Sequence, residues 1–399
     1  MAKDTIYADP MKALLESEGA IDMEFDYYAN PIRFPSPSCN LALANRAHGF
    51  PRGCSVIIYG PPKSGKSILC LALFGQIHKD VTDGITIYLS TERRGRFQHT
   101  KEFLHSFGID PKRHVTKDVN SPSQVFDFIT FEVPKLVKSG LNIVSIVIDS
   151  LTNITGRRTE DQESVNVQQR GDQAFTLQTG LAMALNTIRE FNITMFMTSQ
   201  IRANQEAVQY RRPEYEENKL AGGWYSKHFA EFFIYVTRMS MSKEKDKYLT
   251  ESKDMFGNQT KSGHKTKLIV VGNSMGPELR SGQFTLDFTK GIINQEEEIA
   301  QMGAKSGVIT AAGAWFKYTD DAGNEHKWQG INSVCKELVD NPDLGKEIVE
   351  KVFALDTFTD TTEENHQKHV DEIEETIPAS SKANLSNALE ELENLTKKK

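Results

Sequence analysis

The chain has 399 residues, 38% hydrophobic and 25% charged, with a net charge of −7; this is ordinary globular make-up, sized for two or three domains, and it excludes a disordered or fibrous chain. No run approaches the roughly 18 apolar residues of a membrane helix, and the opening MAKDTIYADP lacks an apolar secretion signal, so no membrane partner and a cytoplasmic location are expected. The four cysteines, Cys39, Cys54, Cys70 and Cys335, show no CxxC spacing and read as reduced, buried thiols, not as a disulfide or zinc framework.

Asp9 followed by Pro10 marks a helix start, with Asp as N-cap and Pro at the first helical position. The amphipathic run that follows closes at Gly19. Residues 21–50, with Pro31, Pro35 and Pro37, read as an irregular connector. From Ser55 the pattern changes. Apolar runs at 55–59, 85–90, 143–149 and 193–199 predict strands buried on both faces. Helical stretches lie between them near 66–79, 95–107, 123–138 (opened by Ser121-Pro122) and 172–191. This alternation predicts an α/β fold with a mostly parallel sheet covered by helices. Runs at 232–238, 266–272 and 284–288 follow without intervening helices and predict antiparallel strands extending that sheet. After Gly291, helical pieces near 294–303, 331–340 and 343–354 surround a hairpin within 313–328, its turn at Asp321-Ala322-Gly323. This predicts a small α+β domain. From Asp356 onward lie 11 of the 54 acidic and 5 of the 47 basic side chains, leaving 43 acidic and 42 basic in the body. The excess charge thus belongs to a polar tail expected to be mobile, and a neutral body can still carry a basic groove.

Gly60-Pro61-Pro62-Lys63-Ser64-Gly65-Lys66-Ser67 fits GxxxxGK[ST] directly between an apolar strand and a helix, the context this motif requires. Its backbone N–H groups turn inward and the helix N-terminus adds partial positive charge, which makes a phosphate cradle. Lys66 is expected to reach the β- and γ-phosphates and Ser67 to ligate Mg²⁺. The motif predicts nucleoside triphosphate binding. Asp149 closes a buried strand where a carboxylate on the magnesium side is expected, although alone it could be a turn former. Glu92 follows the second strand at the ligand edge of a parallel sheet. It could orient an attacking water, or be a solvated carboxylate beside Arg93 or Arg94. Gln200 closes the strand of residues 193–199 and could sense the γ-phosphate. Beyond it, about 201–223 is polar, with Arg202, Arg211, Arg212 and Lys219 among Tyr210 and Tyr215. Cations interleaved with rings suit single-stranded nucleic acid, though Glu206, Glu214, Glu216 and Glu217 dilute the charge. A second polar loop, about 153–171, carries Arg157, Arg158 and Arg170.

These segments, in this order, resemble the RecA-type recombinases. The resemblance covers roughly 35–355 and runs through GFPRGCSVIIYGPPKSGKS, YLSTE, VIDSL, SQIR, AGGWYSKHF, QFTLDFTKGI, GAWFKY and NPDLGKEIVEKV. The Lys63-Ser64 pair and terminal Ser67 are more similar to phage recombinases of the UvsX type. The resemblance implies a RecA-like P-loop ATPase core over 35–292 with two DNA-binding loops. It also implies an N-terminal docking helix and linker over 1–34, a small α+β domain over 293–356 that gathers duplex DNA, and an acidic tail over 357–399. It implies a DNA-dependent ATPase using ATP and Mg²⁺. Such a protein forms a helical filament on single-stranded DNA and exchanges strands with homologous duplex, in a bacterial cell or in infected host cytoplasm. Loader and single-strand-binding proteins are implied as further partners. Glu92 takes the place of the catalytic glutamate, with Lys66, and Gln200 that of the phosphate-sensing glutamine. Phe288 falls near the adenine.

Three departures stand out. Where the family carries two basic residues reaching a neighbour's γ-phosphate, this chain has Gly272 and Ser274. Lys227, which matches a basic position in the family's GG-led segment, is the first expected substitute, with Arg238 and Arg280 behind it. Ser90 stands where the family has a carboxylate, and the 153–171 loop differs in composition. Two other readings share the phosphate loop: a RecA-fold ring ATPase or helicase, which lacks the GAW-bearing domain, and an ATP-binding filament scaffold with little hydrolysis.

Overall fold

The computed structural model describes residues 26, 28–92, 99–119, 121, 123–154, 156, 171–203, 213, 215, 218–220, 229–239, 251–253, 255 and 259–356. The expected helix after Pro10, the acidic tail, Pro122, Lys227, and the arginines at 157, 158, 170, 211 and 212 lie outside them.

The first described helix, α1 (Pro37–Ala42), was not expected in the proline-rich connector. Ser36 caps it by accepting from the Cys39 N–H, and Pro37 supplies the fixed φ of a first helical position. β1 (Ser55–Gly60) leads through the phosphate loop into α2 (Lys66–Asp80), followed by β2 (Ile85–Ser90) and α3 (Lys101–Ser106). Then comes an unexpected strand, β3 (His114–Asp118). It is an edge strand in which only His114 is buried, so no apolar run announces it. The helix expected over 123–138 is interrupted. α4 (Gln124–Asp127) and α5 (Val133–Lys138) flank a π turn at Phe128–Glu132, and the first cap is Ser123, not Ser121. β4 (Ile143–Asp149), α6 (Asp172–Glu190) and β5 (Thr194–Ala203) complete the alternating part.

The main sheet runs β12-β11-β10-β7-β1-β5-β4-β2-β3, where β7 is Phe232–Arg238, β10 Gly263–Asn273, β11 Arg280–Asp287 and β12 Gly291–Ile293. One expectation is corrected here. β7 pairs parallel to β1 (Val56↔Phe232 to Tyr59↔Tyr235), and the antiparallel extension starts only at β10. The polar stretch after Gln200, expected to be a loop, contains the short antiparallel partner β6 (Asn218–Leu220), which sets Arg202 opposite Lys219. β8 (Glu251–Lys253) and β9 (Gln259–Lys261) form a separate hairpin. The sheet's two faces are packed separately. On one, Val56 and Ile58 meet α2 and Phe50; on the other, Ile57 and Tyr59 share a core with α6 residues Leu181, Leu185 and Ile188. Phe50 stands edge-on to Phe34, Phe196 and Phe232 at 5.1, 5.2 and 5.1 Å, a geometry aromatic pairs favour.

Beyond β12, α7 (Gln295–Ser306), a three-stranded antiparallel sheet of β13 (Thr310–Ala312), β14 (Trp315–Thr319) and β15 (Glu325–Gln329), α8 (Ile331–Asp340) and α9 (Pro342–Ala354) enclose a third core around Ile309, Tyr318, Trp328, Leu338 and Ile348. This unit meets α1 of the main body through Glu298, which is buried and accepts from Ser36 Oγ at 2.6 Å and Ser38 N at 2.5 Å. Burial pushes the Glu298 carboxyl up to about 7. Among the described residues, no helix is long and apolar enough to cross a membrane, and Cys39, Cys54, Cys70 and Cys335 are free thiols, the first three buried.

Candidate functional site

The parallel strands β1, β5, β4, β2 and β7 all run toward one edge of the sheet, and residues at or near their ends surround a cavity of about 660 Å³. A parallel sheet exposes chain ends and helix N-termini at this edge. Pro62, Lys63, Gly65, Lys66, Ser67, Glu92, Asp149, Ser150, Thr198, Gln200, Arg238 and Phe288 line it. Strand register accounts for the convergence. Gly60 pairs with Gln200 on β5, and Asp149 with Ser90, two residues before Glu92.

The phosphate loop is shaped by backbone that ordinary residues avoid. Gly60 has φ +156°, and a Cβ there would lie 2.0 Å from the Val236 carbonyl oxygen. Gly65 has φ +95°, and its Cβ would strike Leu286 at 2.1 Å. Glycine is the residue that fits both positions. Lys66 is half-buried and donates to the carbonyls of Gly60 and Pro61 at 3.0 and 2.9 Å. Burial lowers its pKa from the ordinary 10.5, opposed by Asp149 and then Glu92.

Asp149 is a junction. Its Oδ2 accepts from Ser67 Oγ at 2.7 Å and from the Tyr88 hydroxyl, and its Oδ1 accepts from Thr198 Oγ1. A hydroxyl and a carboxylate oxygen side by side at a cavity wall fit a hard divalent cation, which favours oxygen ligands. Among the described residues there is no group of three or more His, Cys, Asp or Glu side chains that could hold a metal. A magnesium ion here would therefore take few protein ligands and complete its shell with phosphate and water, as Mg²⁺ commonly does. Glu92 Oε1 accepts from Ser150 Oγ at 3.0 Å and from Gln200 Nε2 at 3.2 Å. The carboxylate is thus held by two donors from separate strand ends. Gln200 is itself fixed by its backbone N–H donating to Thr152 Oγ1 at 2.9 Å. Phe288 lines the cavity and stands edge-on to His264 at 5.4 Å.

The structure therefore gathers Lys66, Ser67, Glu92, Asp149, Gln200 and Phe288 around one space, while Ser64 is buried and does not line it. Tyr88, Thr198 and Ser150, which hold the two carboxylates, are not among the residues expected from the sequence. The available signal was a polar side chain near the end of an otherwise apolar strand.

Two residues named as substitutes for the basic pair stand elsewhere. Arg238 is on its own chain's cavity, donating from Nε and Nη2 to the Lys63 carbonyl at 2.9 and 2.5 Å. It ends a strand parallel to β1, so it arrives at the same edge. Arg280 makes a two-pronged pair with Asp356 at 3.0 and 2.9 Å. Gly272 and Asn273 pair with Phe233 and Phe232 at the start of β7, the sheet end remote from the phosphate loop. A Cβ at Gly272 would meet Phe233 at 2.8 Å.

A family model for the RecA N-terminal domain matches residues 29–293. Among similar curated proteins, "Protein RecA" of Nautilia profundicola is 28% identical over 357 residues, covering 86% of this chain and 92% of the relative. "Protein RecA" of Thermotoga neapolitana is 26% identical over 321 residues, covering 80% and 82%. That of Campylobacter fetus is 28% identical over 319 residues, covering 80% and 83%.

Proposed function

This chain belongs to the RecA family; it is a RecA-type recombinase and DNA-dependent ATPase of recombination and repair, and from that premise we propose how its residues divide the work. ATP binds in the cavity at the end of β1, with its phosphates on backbone N–H groups of residues 63–67 (Pro61 and Pro62 have none to offer) and its adenine beside Phe288. Lys66 contacts the β- and γ-phosphates, and Ser67 and Asp149 hold Mg²⁺. That ion, when bound, neutralises charge on the phosphates. Glu92 orients the attacking water and Gln200 registers the γ-phosphate.

The observation that carries this reading is the shared oxygen. Ser150 Oγ and Gln200 Nε2 both donate to Glu92 Oε1 in the cavity that also holds Lys66, Ser67 and Asp149. Two donors leave the second carboxylate oxygen to accept from a water. Whatever displaces Gln200 toward a phosphate removes one of the two donors on Glu92 and leaves Ser150 in place, so nucleotide state and the segment following β5 are coupled by one hydrogen bond.

Family membership implies action on DNA as an oligomeric filament. We assign DNA contacts to Arg157, Arg158 and Arg170 in one segment and to Arg202, Arg211, Arg212 and Lys219 in the other. The N-terminal segment 1–34 docks on a neighbour, with Lys227 serving the neighbour's nucleotide. The separate core of residues 295–354 supports a division near 292/293, with duplex DNA its partner. Single-strand-binding and loader proteins are further proposed partners, in a cytoplasmic setting.

The test is ATP hydrolysis with and without single-stranded DNA for the native chain and Glu92→Gln, with filaments imaged in parallel. DNA-stimulated turnover falling at least about 100-fold in Glu92→Gln, with filaments kept, is the expected result. Filaments without turnover in the native chain would instead favour the scaffold, with Gly272 and Ser274 the first suspects.

A further inference from the structure

The phosphate loop depends on one flank that its own sequence does not supply. A concave nest of N–H groups requires the intervening carbonyls to turn outward, which alternates right- and left-handed backbone along the loop. At Gly65 the left-handed conformation (φ +95°) costs little, but Lys63 adopts it too, at φ +58°, where an L-residue with a long side chain is disfavoured. Something must hold it there.

The end of β7 supplies the charged part of that hold, beside a contact of His264 with the Lys63 backbone. The Val236 carbonyl passes so close to the loop that only hydrogen fits on Gly60. Two residues on, the exposed Arg238 places Nε and Nη2 on the single carbonyl oxygen of Lys63, at 2.9 and 2.5 Å. An exposed arginine usually spends its fork on a carboxylate or phosphate; this one spends it on the outward carbonyl of the strained residue. Behind the loop, Leu286 and His264 fill the space beside Gly65, so the loop is wedged from the back and clasped from the side.

We propose that Arg238 is a positioning residue that holds Lys63 in its left-handed conformation and so keeps the phosphate-binding N–H groups converged before nucleotide arrives. The inference rests on the nucleotide-binding reading of the cavity. It makes Arg238 a determinant of nucleotide affinity acting within its own protomer. Preorganisation of this kind improves binding by removing an ordering cost, not by adding a ligand contact.

The test measures dissociation constants for ADP and for a non-hydrolysable ATP analogue, with KM and kcat for ATP. It uses the native chain, Arg238→Ala, Arg238→Lys, Arg238→Ala combined with Lys63→Gly, and Lys66→Ala, each checked by thermal melting. A clasp on the loop weakens both nucleotides alike in Arg238→Ala, by about tenfold for a lost charge-assisted hydrogen bond. KM rises by a similar factor while kcat falls by less, and Arg238→Lys recovers part of the loss. Lys63→Gly in the Arg238→Ala background restores affinity, because glycine adopts the positive φ without a clasp. Unchanged affinity in Arg238→Ala overturns the proposal. So does a loss confined to the ATP analogue, which would make Arg238 a γ-phosphate ligand, or a failure of Lys63→Gly to rescue. A native chain that binds neither nucleotide, or a Lys66→Ala chain that binds both normally, would overturn the site reading itself, whatever Arg238 does.

Discussion

Two carboxylates organise this molecule, and their surroundings differ most in the space beside them. Asp149 and Glu298 each accept from hydroxyl groups, Asp149 from Ser67, Tyr88 and Thr198, Glu298 from Ser36. Asp149 fronts a cavity of about 660 Å³, whereas the space beside Glu298, between β11 and α7, is only about 30 Å³. Both accept from hydroxyls, Glu298 from the Ser38 N–H as well, but room for a ligand exists at one and hardly at the other. Polar residues around space make a site; polar residues around none make a joint, here the joint between α1 of the main body and α7 of the small unit.

The contrast breaks most visibly at the site. Lys66→Ala should weaken ATP binding by roughly 100-fold or more, read by titration, with the melting temperature nearly unchanged. Gly60→Ala tests the shape instead of the charge. Its Cβ must displace the Val236 backbone, so destabilisation of about 3 kcal/mol or more is expected from urea unfolding.

At the joint the expected signature is pH dependence. Burial raises the Glu298 carboxyl from its ordinary 4.5 to about 7, so between those values the native chain keeps a proton that the unfolded chain has released. Stability from this group is therefore full below pH 4.5 and is lost as pH rises through 7, on the order of 3 kcal/mol across the window. His78 and His114 oppose that slope. Burial pushes them down to about 4 and about 3, so their contribution is lost as pH falls below the ordinary 6.5. Comparing native and Glu298→Gln unfolding at pH 5 and 8 isolates the carboxyl: the native chain should lose more stability on going to pH 8 than the variant does. Equal slopes would mean the seam does not hold its proton. The smallest effect is expected at Arg280→Ala, which removes the partner of the mostly buried Asp356 carboxylate and should cost about 1–2 kcal/mol, again by urea unfolding.

What the sequence disclosed, and what it hid, follows burial. Ile143–Asp149 is buried along almost its whole length, so its apolar run marks the strand to the residue. β3 buries only His114 and gives no run to find. α1 is six residues long, and its evidence is a cap at Ser36 and a proline that equally suits a loop. In the site, Gly60–Ser67, Asp149, Glu92 and Gln200 were legible because their chemistry is tied to short motifs and strand ends. The contact of Arg238 with the Lys63 carbonyl was not legible because a sequence does not state that β7 runs parallel to β1, and that direction decides at which edge the arginine emerges. Tyr88 and Thr198 were overlooked because inside a strand a single polar residue looks like tolerance until its partner is known.

The central place of β1 has a consequence for how the chain is made. Both of its neighbours, β5 and β7, lie far downstream, at Thr194–Ala203 and Phe232–Arg238. At about 5–20 residues per second of synthesis, β1 leaves the ribosome roughly 10 to 40 seconds before β7 can pair with it. For that interval an apolar strand has two unmatched edges, the condition under which nascent chains associate wrongly. α2, continuous with β1 and able to cover one of its faces, is the first shelter available, so the segment that will cradle phosphates also shields the strand at the centre of the sheet during synthesis.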